Sequence, residues 1–563
     1  MTTLLGKAAL VGLMMAAVAG CATTDAPGAR SAAESTTAAM TASISNSPIL
    51  TRQGLVQGVP GALPGVTVFK GLPFAAPPVG DLRWQQPQPA ASWDGVRQAD
   101  TLGDSCVQNP APNRFPNNSA TDMPDSPGIS EDCLYLNVWT PAVSGDENLP
   151  VMVWLYGGAY NEGGGSAPFS QGDHLAVQGV VMVTLNYRVG SLGFFSHPEL
   201  TAADPHGASG NQAMGDAIAA LQWVHDNIAA FGGDPSRVTI FGESAGAAMA
   251  GGLVGAPAAR NLVTRAIPQS GAWMGLGIAP MVTRATAEAA AMRQAQEQFG
   301  TTSLAALRAL PATEIHQKIR GSGMIVDGHI IPEDVSIAVA HGRQNPWDVL
   351  AGSNEDEGSF TSAFGPPPTL ASFTAGEAQR YGAHIDLGRA AYPASSDAEA
   401  AAQAPRPFSD AMTWHMRQYA DGQALIGRQA YQYFFTHDPL YDPDRGNLGA
   451  AHTGEIPYVF ANLCAPRTYP GGSSVTLMCG NAREEAFADQ VSAYWVNFAR
   501  TGNPNGPGLP YWPSAAEVDR RQVMRLDADG SGIGPWLTEA QDTLYEALFA
   551  DRVAVPLGLP SGE

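Results

Sequence analysis

Val238-Thr239-Ile240-Phe241-Gly242-Glu243-Ser244-Ala245-Gly246 is the stretch from which the fold of this 563-residue chain is read. Its first four residues are a short apolar, β-rich run, and a Gly-x-Ser-x-Gly pentapeptide follows. Ala245 to Leu253 is then small, apolar and free of proline, which suits a helix lying close on a sheet. Glycines two residues either side of a serine allow a turn so sharp that the hydroxyl projects from its tip. A serine held there, at a helix N-terminus, is a candidate nucleophile. The pentapeptide is short enough to arise by chance, so its flanks and the rest of the chain carry the reading.

Outward from that turn, similar apolar β-rich runs recur at Val151 to Tyr156, Val180 to Tyr187, Val349 to Ala351 and Tyr431 to Thr436. Helical stretches accompany them, including Met214 to Ala230 and Ala285 to Gln298. The runs at Val151, Val180 and Val238 are apolar at consecutive positions rather than alternating, as in strands covered on both faces. Strands interleaved with helices indicate an α/β class. No fixed-period repeat and no long polar linker occurs after residue 50, so residues 48–563 read as one domain. The Gly/Pro-rich stretches 163–172 and 365–368 read as loops over one end of the sheet. Open α/β sheets bind ligands at the carboxyl ends of their strands, where Ser244 falls.

Composition narrows the function. Hydrophobic residues make up 44%, enough for a sizeable core, whereas charged residues are only 15% and the formal charge is -22. Such a chain has no basic stripe for nucleic acid or for adsorption to anionic lipid. Residues 1–20 read as a signal peptide: Lys7 supplies a positive n-region, and Ala8 to Gly20 is too short to span a bilayer. Val18-Ala19-Gly20-Cys21 resembles the lipobox of bacterial lipoproteins, in which the cysteine becomes the lipidated first residue; cleavage after Ala17-Val18-Ala19 is the competing reading. Residues 21–47, rich in Ala, Thr and Ser, then read as a flexible tether from a lipidated Cys21. The expected location is the cell envelope, with the membrane reached only through that anchor. Lipidation also accounts for the odd cysteine among five, leaving Cys106, Cys133, Cys464 and Cys479 for two bridges in an oxidising compartment. Local pairing, Cys106 with Cys133 and Cys464 with Cys479, is the simplest of three connectivities. No metal-ligand spacing and no phosphate-loop pattern occurs, so neither metal nor cofactor is expected.

A serine hydroxyl needs a base within hydrogen-bond reach, a carboxylate to orient that base, and donors for an oxyanion. The chain order Ser, acid, His of the hydrolase turn restricts the base to seven histidines after Ser244. Gly449-Ala450-Ala451-His452-Thr453-Gly454-Glu455-Ile456-Pro457-Tyr458-Val459-Phe460 resembles the histidine segment of the type-B carboxylesterase and lipase family, and Gly352-Ser353-Asn354-Glu355-Asp356-Glu357-Gly358-Ser359-Phe360 resembles its acid loop. Gly-Glu-Ser-Ala-Gly matches its nucleophile turn and Glu131-Asp132-Cys133-Leu134-Tyr135-Leu136-Asn137-Val138 its signature after the first strands. Further matches lie at Phe69 to Ala75, Arg83-Trp84, Asn186 to Gly190, Leu221 to Ile228 and Tyr494 to Pro504, in register and in order.

The resemblance implies an α/β-hydrolase fold and cleavage of carboxylic esters through an acyl-enzyme. It implies Ser244 as nucleophile, His452 as general base and acid, and Glu357 as the orienting carboxylate, with Glu355 and Asp356 as rivals on the same loop. It assigns the oxyanion donors to the backbone N–H groups of Gly158, Ala159 and Ala245. Many members carry His and Gly where this chain has Tyr156 and Ala159; main-chain donors survive that change. Ser270 and Glu243 match positions beside the triad, Arg83 with Glu131 and Arg188 with Asp216 match ion pairs, and Cys106–Cys133 matches a bridge. His415 and His437 are read as structural. Residues 106–133 contain no tryptophan, which argues against choline esters, whose quaternary ammonium is held by cation–π contact. Two alternatives stay open: an inactive binding or adhesion module, and hydrolysis of amides, lactones or thioesters.

Overall fold

The structure is a computed structural model that describes residues 44–109, 128–271, 274, 280–359, 366–440, 448–465, 467–468, 474–475 and 478–554. The signal segment, Cys21 and most of the expected tether lie outside the described residues. Packing begins slightly earlier than the expected boundary at 48: Ile44 is buried and its N–H donates to the Val143 carbonyl.

Eleven strands form the main sheet: β1 (Val59–Pro60), β2 (Thr67–Pro73), β3 (Tyr135–Thr140), β4 (Leu149–Leu155), β5 (Val181–Leu185), β6 (Gly233–Glu243), β7 (Arg265–Gln269), β8 (Asp348–Asn354), β9 (Ala430–Phe435), β10 (Gln522–Leu526) and β11 (Gly532–Pro535). Their spatial order is β11-β10-β9-β8-β7-β6-β4-β5-β3-β2-β1. The seven strands from β10 to β5 run parallel, and β11 at one edge and β3, β2 and β1 at the other are antiparallel. Every residue from Val151 to Leu155 is inaccessible to solvent, as are those from Val181 to Leu185, so both faces of the sheet are covered. That is why these strands read as unbroken apolar runs. The edge strands are short, and each of β1 and β11 ends in proline, which blocks further pairing.

The covering helices that matter for the site are α1 (Gln212–Asn227), α2 (Ala245–Val254), α3 (Arg406–Leu425), α4 (Ile456–Val459) and α5 (Ala482–Thr501). α2 is buried at all ten positions and packs over β4, β6 and β7. Its three glycines each weaken a helix by about 1 kcal/mol relative to alanine. They also let its axis approach the sheet closely, and the packing offsets that cost. α3 packs over β8 and β9, and α5 over β4 and β6. A small separate sheet, Ile49–Leu50, Leu55–Gln57 and Val96–Gln98, lies near the start of the described chain.

Candidate active site

β6 ends at Glu243 and α2 begins at Ala245, which leaves Ser244 alone to make the turn between them. Its backbone sits at φ 54°, ψ -121°, a conformation that costs a non-glycine residue about 1–3 kcal/mol. Hydrogen bonds on both sides hold it there: Ser244 N–H donates to the Gln269 carbonyl at 2.9 Å, and Ala248 N–H donates to the Ser244 carbonyl at 2.9 Å. Both glycines of the motif are sterically required. A Cβ on Gly246 would stand 2.0 Å from the Leu155 carbonyl oxygen, and one on Gly242 would stand 2.6 Å from the same atom. The outcome is a partly exposed serine flanked by buried neighbours.

Two loops deliver the partners. The acid loop leaves the C-terminal end of β8, and Glu357 turns back so that its Oε1 accepts the Asn354 N–H at 2.8 Å. Its Oε2 lies 2.5 Å from His452 Nδ1, and His452 Nε2 lies 2.9 Å from Ser244 Oγ. The structure therefore brings together the three residues named from the sequence. The rivals are spent elsewhere. Glu355 pairs with Arg525 at 3.4 Å, and the Asp356 carboxylate accepts the Ala450 N–H at 3.0 Å. Asp356 N–H also donates to the Ala450 carbonyl, so this residue stitches the acid loop to the histidine loop.

Behind the triad stands a carboxylate that sequence reasoning left without a role. Glu455 is fully buried, accepts from Gln269 Nε2 at 3.0 Å and from Asn354 Nδ2 at 2.7 Å, and Trp495 Nε1 donates to Gln269 Oε1. Asn354 Nδ2 also donates to the Ala451 carbonyl at 2.7 Å, which ties this network to the base. The signal was present in the sequence: Glu455 lies three residues after His452, in a segment turning into α4. Glu243 is buried without a hydrogen bond among the described residues, its Oε1 3.2 Å from His452 Nε2. Ser270 is buried at φ 55°, and its hydroxyl makes no hydrogen bond to the triad.

Burial, with Glu455 and Glu357 nearby, pushes the Glu243 carboxyl well above its ordinary range, although His452 opposes this. Burial, then Glu357, raises Glu455 likewise. For His452, burial works downward, but Glu243 and Glu357 outweigh it and lift the imidazole to about 9.

The loop after β4 meets Ser244 directly. A Cβ on Gly157 would lie 3.0 Å from Ser244 Cβ and 2.8 Å from the Glu243 carbonyl oxygen, so only glycine fits. Gly158, Ala159 and Tyr160 all have positive φ, and Asn161 and Glu162 N–H groups both donate to the Gly158 carbonyl. That turn leaves the N–H groups of Gly158 and Ala159 without an acceptor among the described residues. Ala245, the first residue of α2, likewise has no intrahelical acceptor for its N–H. Tyr156 has a use of its own: its hydroxyl donates to the Tyr187 carbonyl at 2.7 Å, Tyr187 returns the bond to the Tyr156 carbonyl, and the rings stack at 4.1 Å. The reciprocal pair fixes the start of the loop.

The remaining expectations fall into place away from the triad. Both bridges, Cys106–Cys133 and Cys464–Cys479, are formed. Arg83 meets Glu131 and Arg188 meets Asp216 in two-pronged ion pairs. His437 is buried against Glu484. His415 is buried with neither ring nitrogen bonded among the described residues, and burial holds it down to about 3, hence neutral.

Over most of its length the chain is similar to known proteins. The model of the carboxylesterase family matches residues 45–545. A fumonisin B1 esterase of Sphingopyxis macrogoltabida is 38% identical over 509 residues, covering 86% of this chain and 87% of that protein. A cholinesterase of Mus musculus is 32% identical over 544 residues (89% and 86%), and a cocaine esterase of Homo sapiens 34% over 519 residues (86% and 88%).

Proposed function

The chain belongs to the carboxylesterase family and is a carboxylic-ester hydrolase of the α/β-hydrolase fold; from that premise we propose that Ser244, His452 and Glu357 are its catalytic residues, with Gly158, Ala159 and Ala245 as oxyanion donors. Ser244 Oγ attacks the acyl carbon as His452 Nε2 takes its proton. Glu357 holds the opposite nitrogen and stabilises the imidazolium. The three backbone N–H groups receive the charge that develops on the carbonyl oxygen, where removal of one donor typically costs about 10²–10³ in rate. The imidazolium passes its proton to the departing alcohol, and water then cleaves the acyl-enzyme by the same steps in reverse. The observation that carries the reading is the strained Ser244, with its Oγ 2.9 Å from a histidine that is itself 2.5 Å from a buried carboxylate. A fluorophosphonate probe tests it: wild type is expected to label on Ser244 and Ser244→Ala not at all, while labelling that survives the substitution overturns the assignment.

The substrates are small esters. The relatives are named for fumonisin B1, choline and cocaine esters, and the absence of tryptophan from residues 106–133 speaks against choline.

We propose further that the protein is exported and held at the membrane by a lipidated Cys21. The apolar stretch before Val18-Ala19-Gly20-Cys21 supports this, as does the engagement of the other four cysteines in bridges. A mass measurement of the membrane-extracted N-terminus tests it: an unmodified terminus at Gly20 would exclude lipidation.

A further inference from the structure

The small sheet near the start of the described chain carries an apolar row that the described residues leave partly exposed. Leu50 pairs in register with Leu55, and Leu55 with Val96, so the three side chains share one face across three strands. They are 69%, 36% and 42% exposed. The neighbouring positions of that face, Gln57 and Gln98, are uncharged, although the chain as a whole carries -22. Val143, 66% exposed, lies where the Ile44 N–H is bound, at the point where the described chain begins. Large exposed apolar side chains thus occur both on the small sheet and at the residue that Ile44 bonds.

The position of this patch relative to the triad is fixed by the fold. The strand Ile49–Leu50 packs on the 3-10 turn Ile228–Phe231, which leads into the N-terminal end of β6, and Arg52 bonds Asn227 and Asp226 at the end of α1. Ser244 stands at the other end of β6, which bulges between Gly233 and Val238 and runs the length of the seven-residue β4, roughly 20 Å.

We propose that this face is a foot that rests on the lipid bilayer and turns the active site toward the aqueous side. The proposal rests on the reading of Cys21 as a lipid anchor. Only 22 residues separate Cys21 from Ile44, an average span of roughly 25 Å for a flexible chain, so a lipid on Cys21 would keep this end of the molecule near the membrane. A net charge of -22 rules out electrostatic adsorption, and the contact must be apolar and tethered. An uncharged apolar row beside the tether satisfies both conditions. The consequence is functional: the anchored enzyme works on esters dissolved in the surrounding water, and esters embedded in the same bilayer lie on the wrong side of the molecule.

The test uses full-length lipidated protein reconstituted in vesicles of phosphatidylethanolamine and phosphatidylglycerol doped with nitroxide-labelled lipid. Fluorophores are placed singly through Leu55→Cys, Val96→Cys and, beyond the C-terminal end of β9, Leu440→Cys. Labels at 55 and 96 are expected to be quenched severalfold more than the label at 440. In a Leu55→Glu/Val96→Glu protein labelled through Leu50→Cys, quenching is expected to fall at least about tenfold. Hydrolysis of a water-soluble ester should not change. Equal quenching at 55, 96 and 440, in protein whose mass shows an acylated Cys21, overturns the foot and leaves the anchor standing. A mass without acyl groups defeats the anchor, and the foot with it.

Discussion

Among the described residues two buried histidines face a glutamate at hydrogen-bond distance, and one of them also meets a serine hydroxyl. His452 Nδ1 lies 2.5 Å from Glu357, and His437 Nε2 lies 2.8 Å from Glu484. Both glutamates are fully buried. The difference lies in what surrounds each pair. The opposite nitrogen of His452 meets the hydroxyl of a serine forced to positive φ. The opposite nitrogen of His437 looks toward Asp527 at 3.9 Å, while Tyr458 donates to Glu484 and Arg483 pairs with it at 3.1 Å. The second cluster joins the end of β9 to α4 and the first turn of α5 and presents no reacting atom. A histidine–carboxylate pair is therefore common structural material, and the strained turn is what makes one of them chemical.

Removing that turn's hydroxyl breaks the comparison most completely. Ser244→Ala is expected to lower kcat by about 10⁶ in steady-state hydrolysis of a chromogenic ester, with the folded state unchanged by circular dichroism. Glu357→Gln should follow with a loss of about 10⁴, since an amide in place of the carboxylate stabilises the wrong tautomer of His452. Glu484→Gln supplies the contrast: kcat should stay within a few-fold of wild type. Substitution of the other cluster acts on stability. His437→Leu removes one hydrogen-bond partner of the buried Glu484, and the expected cost is about 1–3 kcal/mol, read from the urea midpoint. If kcat of the folded fraction fell with it by orders of magnitude, the separation of the two clusters would be wrong.

How much of this was legible in the sequence follows from the range of the forces involved. The parallel strands were legible because a strand covered on both faces is apolar at nearly every position, as Val151 to Leu155 are throughout and Val181 to Leu185 are but for Thr184. The turn at Ser244 was legible because two close approaches to the Leu155 carbonyl demand glycine. The edge strands Val59–Pro60 and Gly532–Pro535 were not, being short and defined by their neighbours rather than by a pattern of their own. The choice of Glu357 over Glu355 and Asp356 came only from resemblance. The structure supplies the physical reason: Asp356 is consumed by Ala450 and Glu355 by Arg525, contacts separated by 94 and 170 positions. The motif around His452 does not reveal what Glu455 does, because its partners Gln269 and Asn354 come from two other strands. The stacking of Tyr156 on Tyr187 was equally hidden.

The finest effect concerns the titration of His452. For His452, burial works downward while Glu243 and Glu357 raise it to about 9. Glu243 is itself pushed upward, chiefly by burial. Glu243 Oε1 stands only 3.2 Å from His452 Nε2, so the two groups hold on to a shared proton beyond the pH at which free imidazole would release it. Catalysis needs Nε2 free to accept from Ser244, so kcat/KM should rise with pH through a midpoint above 6.5, the ordinary value for histidine. In Glu243→Gln the carboxylate that favours the imidazolium is gone, and the proton is released earlier. The acidic limb of the profile is then expected to move to lower pH by about one unit, with little change in the plateau. A limb that stayed in place would show Glu243 to be protonated throughout the working range, leaving Glu357 as the one anion that acts on the base.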